Sequence, residues 1–400
     1  MANENLGNAK KAKNDEFYTQ FSDIQKEMNA YLEYNPDVFR DKTVLLPCDD
    51  PEWSNFTKYF AQNFEALGLK KLISTSYAPD SKPDAIPYQP TLFEMESPGY
   101  DPEKTQTKGK IFTLTHDKTG DNVINVDDLE WSYLEGGGDF RSEEITKLRD
   151  EADIIVTNPP FSLFREFLVW LVEADKDFVI IGNMNAITYK EVFPLIMSNK
   201  MWLGVTANGS DLVFRVPEGY EVSDSDKLKA EKLGYIGEYT RLGNACWFTT
   251  LDHGRRHEPL SLMTEQDNIK YNNAIGSDGY SRYDNYDAIE VPRTDAIPSN
   301  YSGVMGVPIS FLSKYNPDQF EILGATQRGC HELVPDTKKY DSYWEMRQDG
   351  KPTGSSGGKT NENANLVGND GKKNYFVNSE GHVIQSAYQR IFIKHKQVTK

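Results

Sequence analysis

The run with most chemical content in this 400-residue chain is Asn158-Pro159-Pro160-Phe161, directly after the apolar Ile154-Ile155-Val156. An exocyclic amine on an aromatic ring is a poor nucleophile, because its lone pair is delocalised into the ring. Accepting both amine hydrogens in hydrogen bonds localises that lone pair. The Asn158 side-chain oxygen is suited to take one hydrogen and the Pro159 backbone carbonyl the other. Two consecutive prolines restrict the backbone and hold that carbonyl in place. Phe161 offers a flat face on which an extruded base can stack. Such chemistry runs on positioning and electrostatics, with neither a matched general base nor a metal. Out of context Asn-Pro-Pro is equally a turn after a strand. The order buried strand, Asn-Pro-Pro-aromatic, helix favours the chemical reading.

The surrounding pattern supplies that order. Residues 43–47 (TVLLP), 71–76 (KLISTS), 153–157 (DIIVT), 178–182 (FVIIG) and 201–205 read as strands. Helical spacing is expected over 15–34, 55–67, 164–172 and 186–197. Alternating strands and helices over 43–205 imply an α/β, doubly wound sheet, whose ligands bind beyond the carboxyl ends of the strands. Residues 79–109 look like a surface insertion, with 111–114 and 123–126 as a short hairpin inside it. Past residue 250 the chain turns rich in Tyr, Asn, Asp and Gly and loses periodicity. Residues 347–373 read as a flexible loop, and the segment from Tyr388 to Lys396 alternates like a strand.

The bulk properties bound the partners. The formal net charge is −17, which argues against a protein held to nucleic acid by a basic shell but leaves room for a local basic cleft. The cations at Arg255 and Arg256, and at Arg390, Lys394 and Lys396, are candidate phosphate contacts or simply solvated charges. Three separated cysteines, Cys48, Cys246 and Cys330, suggest neither a zinc ribbon nor a disulfide framework and fit a reducing, cytoplasmic setting. No apolar run approaches the roughly 20 residues that a membrane helix needs. Asp117, Thr119, Asp121 and Asp128 are spaced like calcium ligands, but the loop lacks Gly at its sixth position and Glu at its twelfth. An acidic turn is the better reading. Residues 354–360 lack the glycine spacing of a phosphate loop.

The chain resembles the EcoRI-type adenine-specific DNA modification methyltransferases. The likeness is carried by 13–20 (KNDEFYTQ), 48–51 (CDDP), 54–56 (SNF), 58–60 (KYF), 138–142 (GDFRS), 157–162 (TNPPFS) and 243–248 (GNACWF). It implies a Rossmann-like S-adenosylmethionine-dependent fold with a C-terminal recognition region. The activity implied is methyl transfer from S-adenosylmethionine to the N6 amine of an adenine flipped out of duplex DNA. Asn158, Pro159, Pro160 and Phe161 would be catalytic. Phe17, Tyr18 and Thr19 would lie beside the methionine part of the cofactor, together with Asn158. Pro47, Cys48, Asp49 and Asp50 would form its loop after the first strand, in place of the usual Gly-x-Gly, with Asp49 and Asp50 toward the cationic amine. Asp139 would accept from the cofactor's adenine and Phe140 would pack on its face. No ribose-binding acid is evident in 74–77.

The domain expectation is a disordered tail over 1–13, a catalytic domain over 14–250 with an insertion at about 79–135, and a DNA target-recognition region over 251–400. Duplex DNA is the expected partner and a monomer suffices. A cognate restriction endonuclease in the same system is left open. The rivals are amino-methyl transfer to RNA or to a protein glutamine, and a non-catalytic binding protein of the same fold.

Overall fold

The computed structural model describes residues 17–49, 54–78, 95, 99–206, 212–216, 222–326, 338, 340–354, 363–387 and 389–396. The expected tail, Asp50 and most of the first part of the insertion lie outside the described residues. The chain divides into two compact units. One holds residues up to Ala186 together with Met201–Gly254, and the other holds Ile187–Lys200 with the chain from Arg255 onward.

The first unit is built on an eight-stranded mixed sheet. Its strands are β2 (Thr43–Leu46), β3 (Lys71–Ser76), β4 (Lys110–Leu114), β5 (Glu130–Tyr133), β6 (Ile154–Thr157), β7 (Asp177–Asn183), β8 (Trp202–Leu203) and β11 (Ala245–Thr249), in the order β5-β4-β3-β2-β6-β7-β11-β8. β3, β2, β6 and β7 are parallel, while β4 pairs antiparallel with β3 and β5 at one side and β11 pairs antiparallel with β7 and β8 at the other. Every residue of β2 and β6 is buried. That is why TVLL and IIVT are continuous apolar runs rather than alternating ones. A three-stranded sheet joins β1 (Tyr18–Thr19), β9 (Val213–Arg215) and β10 (Tyr239–Arg241), with β9 in the middle.

Four helices matter for the site: α1 (Phe21–Tyr34), α2 (Asn55–Gln62), α3 (Glu143–Glu151) and α4 (Phe164–Glu173). α1 buries Ile24, Met28 and Tyr31, one stripe at helical spacing. The helix begins at Phe21 and not near Asp15. Gln20 is extended and its carbonyl accepts the Asp23 and Ile24 N–H groups, so residues 18–19 are released to pair with β9. α2 starts where Ser54 accepts the Phe56 N–H, as its helix-capping type predicts.

Several expectations are revised. Residues 111–114 do form a strand, but it pairs with β3 and β5 and extends the main sheet. Val123 to Val126 lie instead in a turn braced by carboxylates. Asp128 accepts the Lys118, Thr119 and Asn125 N–H groups, and Asp117 accepts those of Gly120 and Asn122. The span 186–197 is a short 3-10 turn and a five-residue helix, Phe193–Met197, that opens with Pro194 in its first turn. A proline lacks the N–H that a longer helix would need there.

In the second unit β12 (Ala288–Glu290), β13 (Val304–Pro308), β19 (Arg390–His395) and β14 (Phe320–Ala325) form one sheet in that order. β15 (Tyr343–Met346), β17 (Tyr375–Asn378), β18 (Val383–Ser386) and β16 (Asn365–Val367) form another. The strand expected at the end of the chain is β19. Part of the span expected to be a flexible loop is β16. Tyr283, Tyr286, Ala288, Ala364 and Phe392 form a small core of this unit.

Asp23, in the first turn of α1, gives a pH-dependent prediction. Burial pushes its carboxyl up to about 6, against the opposing pull of the Val213 N–H and Lys26. The unfolded chain ionises near the ordinary carboxylate value of about 4, so ionisation weakens the fold progressively between about 4 and 6 and fully above that. Asp23→Asn is therefore expected to unfold later than the parent at pH 7.5. A gain on the order of 1 kcal/mol is expected for this part-exposed group, vanishing by about pH 4. Denaturant melts at the two pH values decide it. A loss of stability at pH 7.5 would show that the carboxylate is held favourably.

Candidate active site

The site grows from the pairing of β2, which lies between β3 and β6 and parallel to both. Three chain segments therefore leave the sheet side by side at its carboxyl edge: Pro47 to Asp49, Ser76 to Tyr77, and Thr157 to Asn158. Hydroxyl groups tie them together. The Thr75 hydroxyl donates to the Pro47 carbonyl (3.2 Å) and the Ser74 hydroxyl to the Asp49 carbonyl (2.5 Å). Asp49 is 6% exposed, and its carboxylate accepts from the Ser54 hydroxyl (2.7 Å) on one oxygen and the Thr157 hydroxyl (2.5 Å) on the other.

That geometry gives Asp49 a structural role as well: its two oxygens join the cap of α2 to the residue just before Asn158, so it braces the loop. Asp49→Ala would leave two buried hydroxyls without their acceptor. The expected cost is about 2–4 kcal/mol of unfolding free energy, with Asp49→Asn in between. Urea unfolding measures it, and an unchanged midpoint for the alanine variant would remove the brace.

Asn158 is held by its amide. Nδ2 donates to the Phe17 carbonyl at 2.7 Å. A carbonyl only accepts, so this contact forces the NH2 side toward Phe17 and leaves Oδ1 as the outward acceptor. Asn55 does the same one step along, its Nδ2 donating to the Thr19 carbonyl at 2.8 Å. The Pro160 carbonyl accepts the Leu163 N–H (2.9 Å), whereas among the described residues the Pro159 carbonyl accepts nothing. Phe161 packs its ring 5.7 Å from that of Phe17, and Phe17 lies 5.9 Å from Phe214. The Thr19 hydroxyl is buried and, among the described residues, has no hydrogen-bond partner.

The fourth segment is the glycine-rich turn before α3. Gly138 has φ +84°, and a Cβ there would sit 2.3 Å from the Ser76 carbonyl oxygen. Only glycine lets the turn pass so close to the end of β3. Asp139 follows. Its carboxylate takes the Arg141 backbone N–H, Nε and guanidinium at 2.7–2.9 Å and a hydrogen bond from the Tyr77 side chain. The Arg141 guanidinium above all holds the Asp139 carboxyl down to about 2. Burial, and then the Asp139 carboxylate, push the Tyr77 hydroxyl up.

The structure thus brings Phe17, Tyr18, Thr19, Pro47, Cys48, Asp49, Asn158, Pro159, Pro160 and Phe161 to one edge, and links Asp139 to it through Tyr77. Phe140 departs from expectation. It is 1% exposed, and its ring packs on Phe167 (5.1 Å) and Trp170 (5.5 Å) with Arg141 over it (5.4 Å). Its surface is consumed within the protein, so it supports the loop from behind. Tyr77, Asn55, Thr157 and Phe214 were given no role from sequence. Only Ser54, a serine opening a helix, carried a local signal.

The candidate DNA cations separate into two groups. Arg256 is buried, with a guanidinium hydrogen bond to Asn199. Arg390 pairs with Glu290 at 2.6 Å, the two side chains 12% and 10% exposed. Both are engaged inside the protein, which removes them as surface phosphate contacts. Arg255 and Lys396 are exposed and Lys394 half-buried.

A family model described as "Adenine-specific methyltransferase EcoRI" matches residues 5–396. The chain is 44% identical over 323 residues to the Type II methyltransferase M.EcoRI of Escherichia coli, covering 80% of this chain and 89% of that protein. It is 33% identical over 336 residues to the Type II methyltransferase M.MpnI of Mycoplasma pneumoniae, covering 84% of this chain and 89% of that one. The comparison with solved structures gave no match.

Proposed function

The chain belongs to the EcoRI family of adenine-specific methyltransferases, and from that premise we infer that it moves a methyl group from S-adenosylmethionine to the N6 amine of adenine in duplex DNA. The observation that carries the reading is the locked amide of Asn158. With Nδ2 committed to Phe17, its Oδ1 and the unengaged Pro159 carbonyl are two acceptors on consecutive residues at the edge of the sheet. Together they suit the two hydrogens of one exocyclic amine and aim its lone pair away from the ring. Phe161, backed by Phe17, suits the face of an extruded base.

The residues beside Asn158 fit the cofactor on one structural ground. A buried hydroxyl without a partner is costly unless a bound molecule supplies one, and the Thr19 hydroxyl is such a group. Phe17, Tyr18, Thr19, Pro47, Cys48 and Asn158 would hold the cofactor. When bound, S-adenosylmethionine supplies an electrophilic methyl carbon on its sulfonium sulfur. Asp139, kept ionised by Arg141, and Tyr77 would fix the adjoining wall.

The parallel order β3-β2-β6-β7 supports a Rossmann-like reading of the first unit. For the region 251–400 the support for DNA recognition is electrostatic. Residues 251–400 carry 18 Lys and Arg against 19 Asp and Glu, near neutrality in a chain whose net charge is −17, and the cation surplus lies in residues 338–400, with 11 against 6. A local cation surplus on an acidic protein is what phosphate contacts require. No helix among the described residues is long and apolar enough to cross a membrane.

The test is transfer of labelled methyl from S-adenosylmethionine to unmethylated genomic DNA, followed by nucleoside analysis. Label in N6-methyladenine is expected. Label confined to cytosine, to RNA or to protein would overturn the assignment.

A further inference from the structure

The segment between α4 and the end of the first unit carries a feature that the chemistry above does not use. A helix, Asp224–Lys232, ends in a turn at Gly234-Tyr235-Ile236-Gly237 that leads into β10. Ile236 is 83% exposed, the most exposed large hydrophobic side chain among the described residues, and Leu228 (56%) and Leu233 (39%) lie just before it. The turn is built. The Gly234 N–H bonds the Glu231 carbonyl (2.9 Å), the Tyr235 N–H bonds the Ala230 carbonyl (3.1 Å), and the Tyr235 ring packs 5.3 Å from Tyr239. Gly237 has φ +117°, a conformation that only glycine holds without strain. So the backbone presents Ile236 to solvent while its neighbours are anchored.

Strand register says where. Tyr18, Arg215 and Tyr239 stand in one row across β1, β9 and β10. In these antiparallel strands the direction from Tyr18 to Phe17 on β1 is the direction from Tyr239 toward Ile236 on β10. The next row confirms it on the β9 side, where the Val216 N–H bonds the Glu238 carbonyl (2.9 Å). Ile236 therefore lies at the end of the small sheet where Phe17 meets Asn158. It precedes β10 in the turn closed by the Tyr239 N–H to Gly237 carbonyl bond (3.0 Å), two strand spacings, about 10 Å, from β1.

We propose that Ile236 is an apolar wedge that enters the base stack of duplex DNA beside the target adenine and holds open the gap the adenine leaves. The proposal rests on the adenine-flipping reading above. Removing a base from the stack costs unpairing and unstacking, and an apolar side chain between base steps offsets that cost. The occupant is DNA because the tip shares one sheet with the segment that locks Asn158.

The test uses a duplex oligonucleotide carrying the site mapped by the methylation assay, in two forms: fully paired, and with an abasic position opposite the target adenine. Ile236→Ala is expected to lower kcat/KM about 10–100-fold on the paired duplex and to stay within about 3-fold of the parent on the abasic one, where pairing no longer opposes flipping. Ile236→Leu should restore the paired activity. With 2-aminopurine at the target position, the alanine variant should show less of the fluorescence gain that marks an unstacked base. Equal activity of the alanine variant and parent on the paired duplex, or an equal loss on both, would overturn the wedge. So would a change from dimer to monomer in sedimentation with paired activity unchanged, which would make the tip a protein contact. A parent protein that transfers no methyl to DNA would refute the underlying activity first, and the wedge with it.

Discussion

Asn158→Ala is expected to lower single-turnover methyl transfer by about 10²–10³-fold, the scale seen when one placed hydrogen-bonding group is removed from a reacting centre. The side chain has two jobs at once. Its Nδ2 donates to the Phe17 carbonyl, and that contact turns Oδ1 outward, where the amine must be met. The alanine variant loses the acceptor and the lock together, yet only one hydrogen bond at the edge of the sheet disappears from the fold. The loss of stability should be near 1 kcal/mol. Affinity for the duplex should move little, because binding is spread over many phosphate contacts, so kcat falls while KM holds. Asn158→Asp separates the two jobs. A carboxylate keeps acceptors toward the amine but repels the Phe17 carbonyl, so it should retain more activity than alanine while loosening residues 17–19. Near-normal turnover of the alanine variant, with the melt unchanged, would remove Asn158 from the chemistry.

Asn158 stands out in the sequence because its signal is local. A buried strand, a proline-stiffened turn and a helix are each written in a few adjacent residues. β6 and α4 accordingly appear where IIVT and the apolar helix pattern put them. What could not be read was whatever depends on a partner far along the chain. Asn158 is locked by a residue 141 positions earlier, and nothing near Phe17 announces that its carbonyl is taken. The same holds for Asp49, whose place in the resemblance implies a charged ligand and whose oxygens also accept from Ser54 and Thr157, the second 108 positions away. The helical spacing of 15–34 takes in Phe17 to Thr19, and these leave the helix because β9 and two asparagine side chains offer their backbone better partners. Phe140 was read as a ligand face from its place in a motif, while its burial against Phe167 and Trp170 is set by how α4 packs.

Charge was the least legible property, and Arg390 shows why with a large predicted effect. A basic tail on an acidic chain invites a phosphate contact, but Arg390 is the first residue of β19, next to β13 and β14 in the middle of a sheet. Its Nε and guanidinium reach both oxygens of Glu290, at 2.6–3.2 Å, and Glu290 also accepts from the Tyr283 hydroxyl. Arg390→Ala would leave a buried carboxylate with one neutral donor, and unfolding of the second unit should become easier by about 3–5 kcal/mol. Replacing both partners, as Arg390→Met with Glu290→Met, removes the stranded charge and should recover most of that loss. DNA binding gives the opposite ranking of residues. A cation that touches phosphate steepens the dependence of affinity on salt by about one unit of log–log slope. Lys396→Ala should therefore flatten that slope, and the double methionine variant should leave it unchanged. If the double variant flattened the slope while Lys396→Ala did not, the buried pair would have to open on DNA, and the tail would be held in reserve rather than spent on the fold.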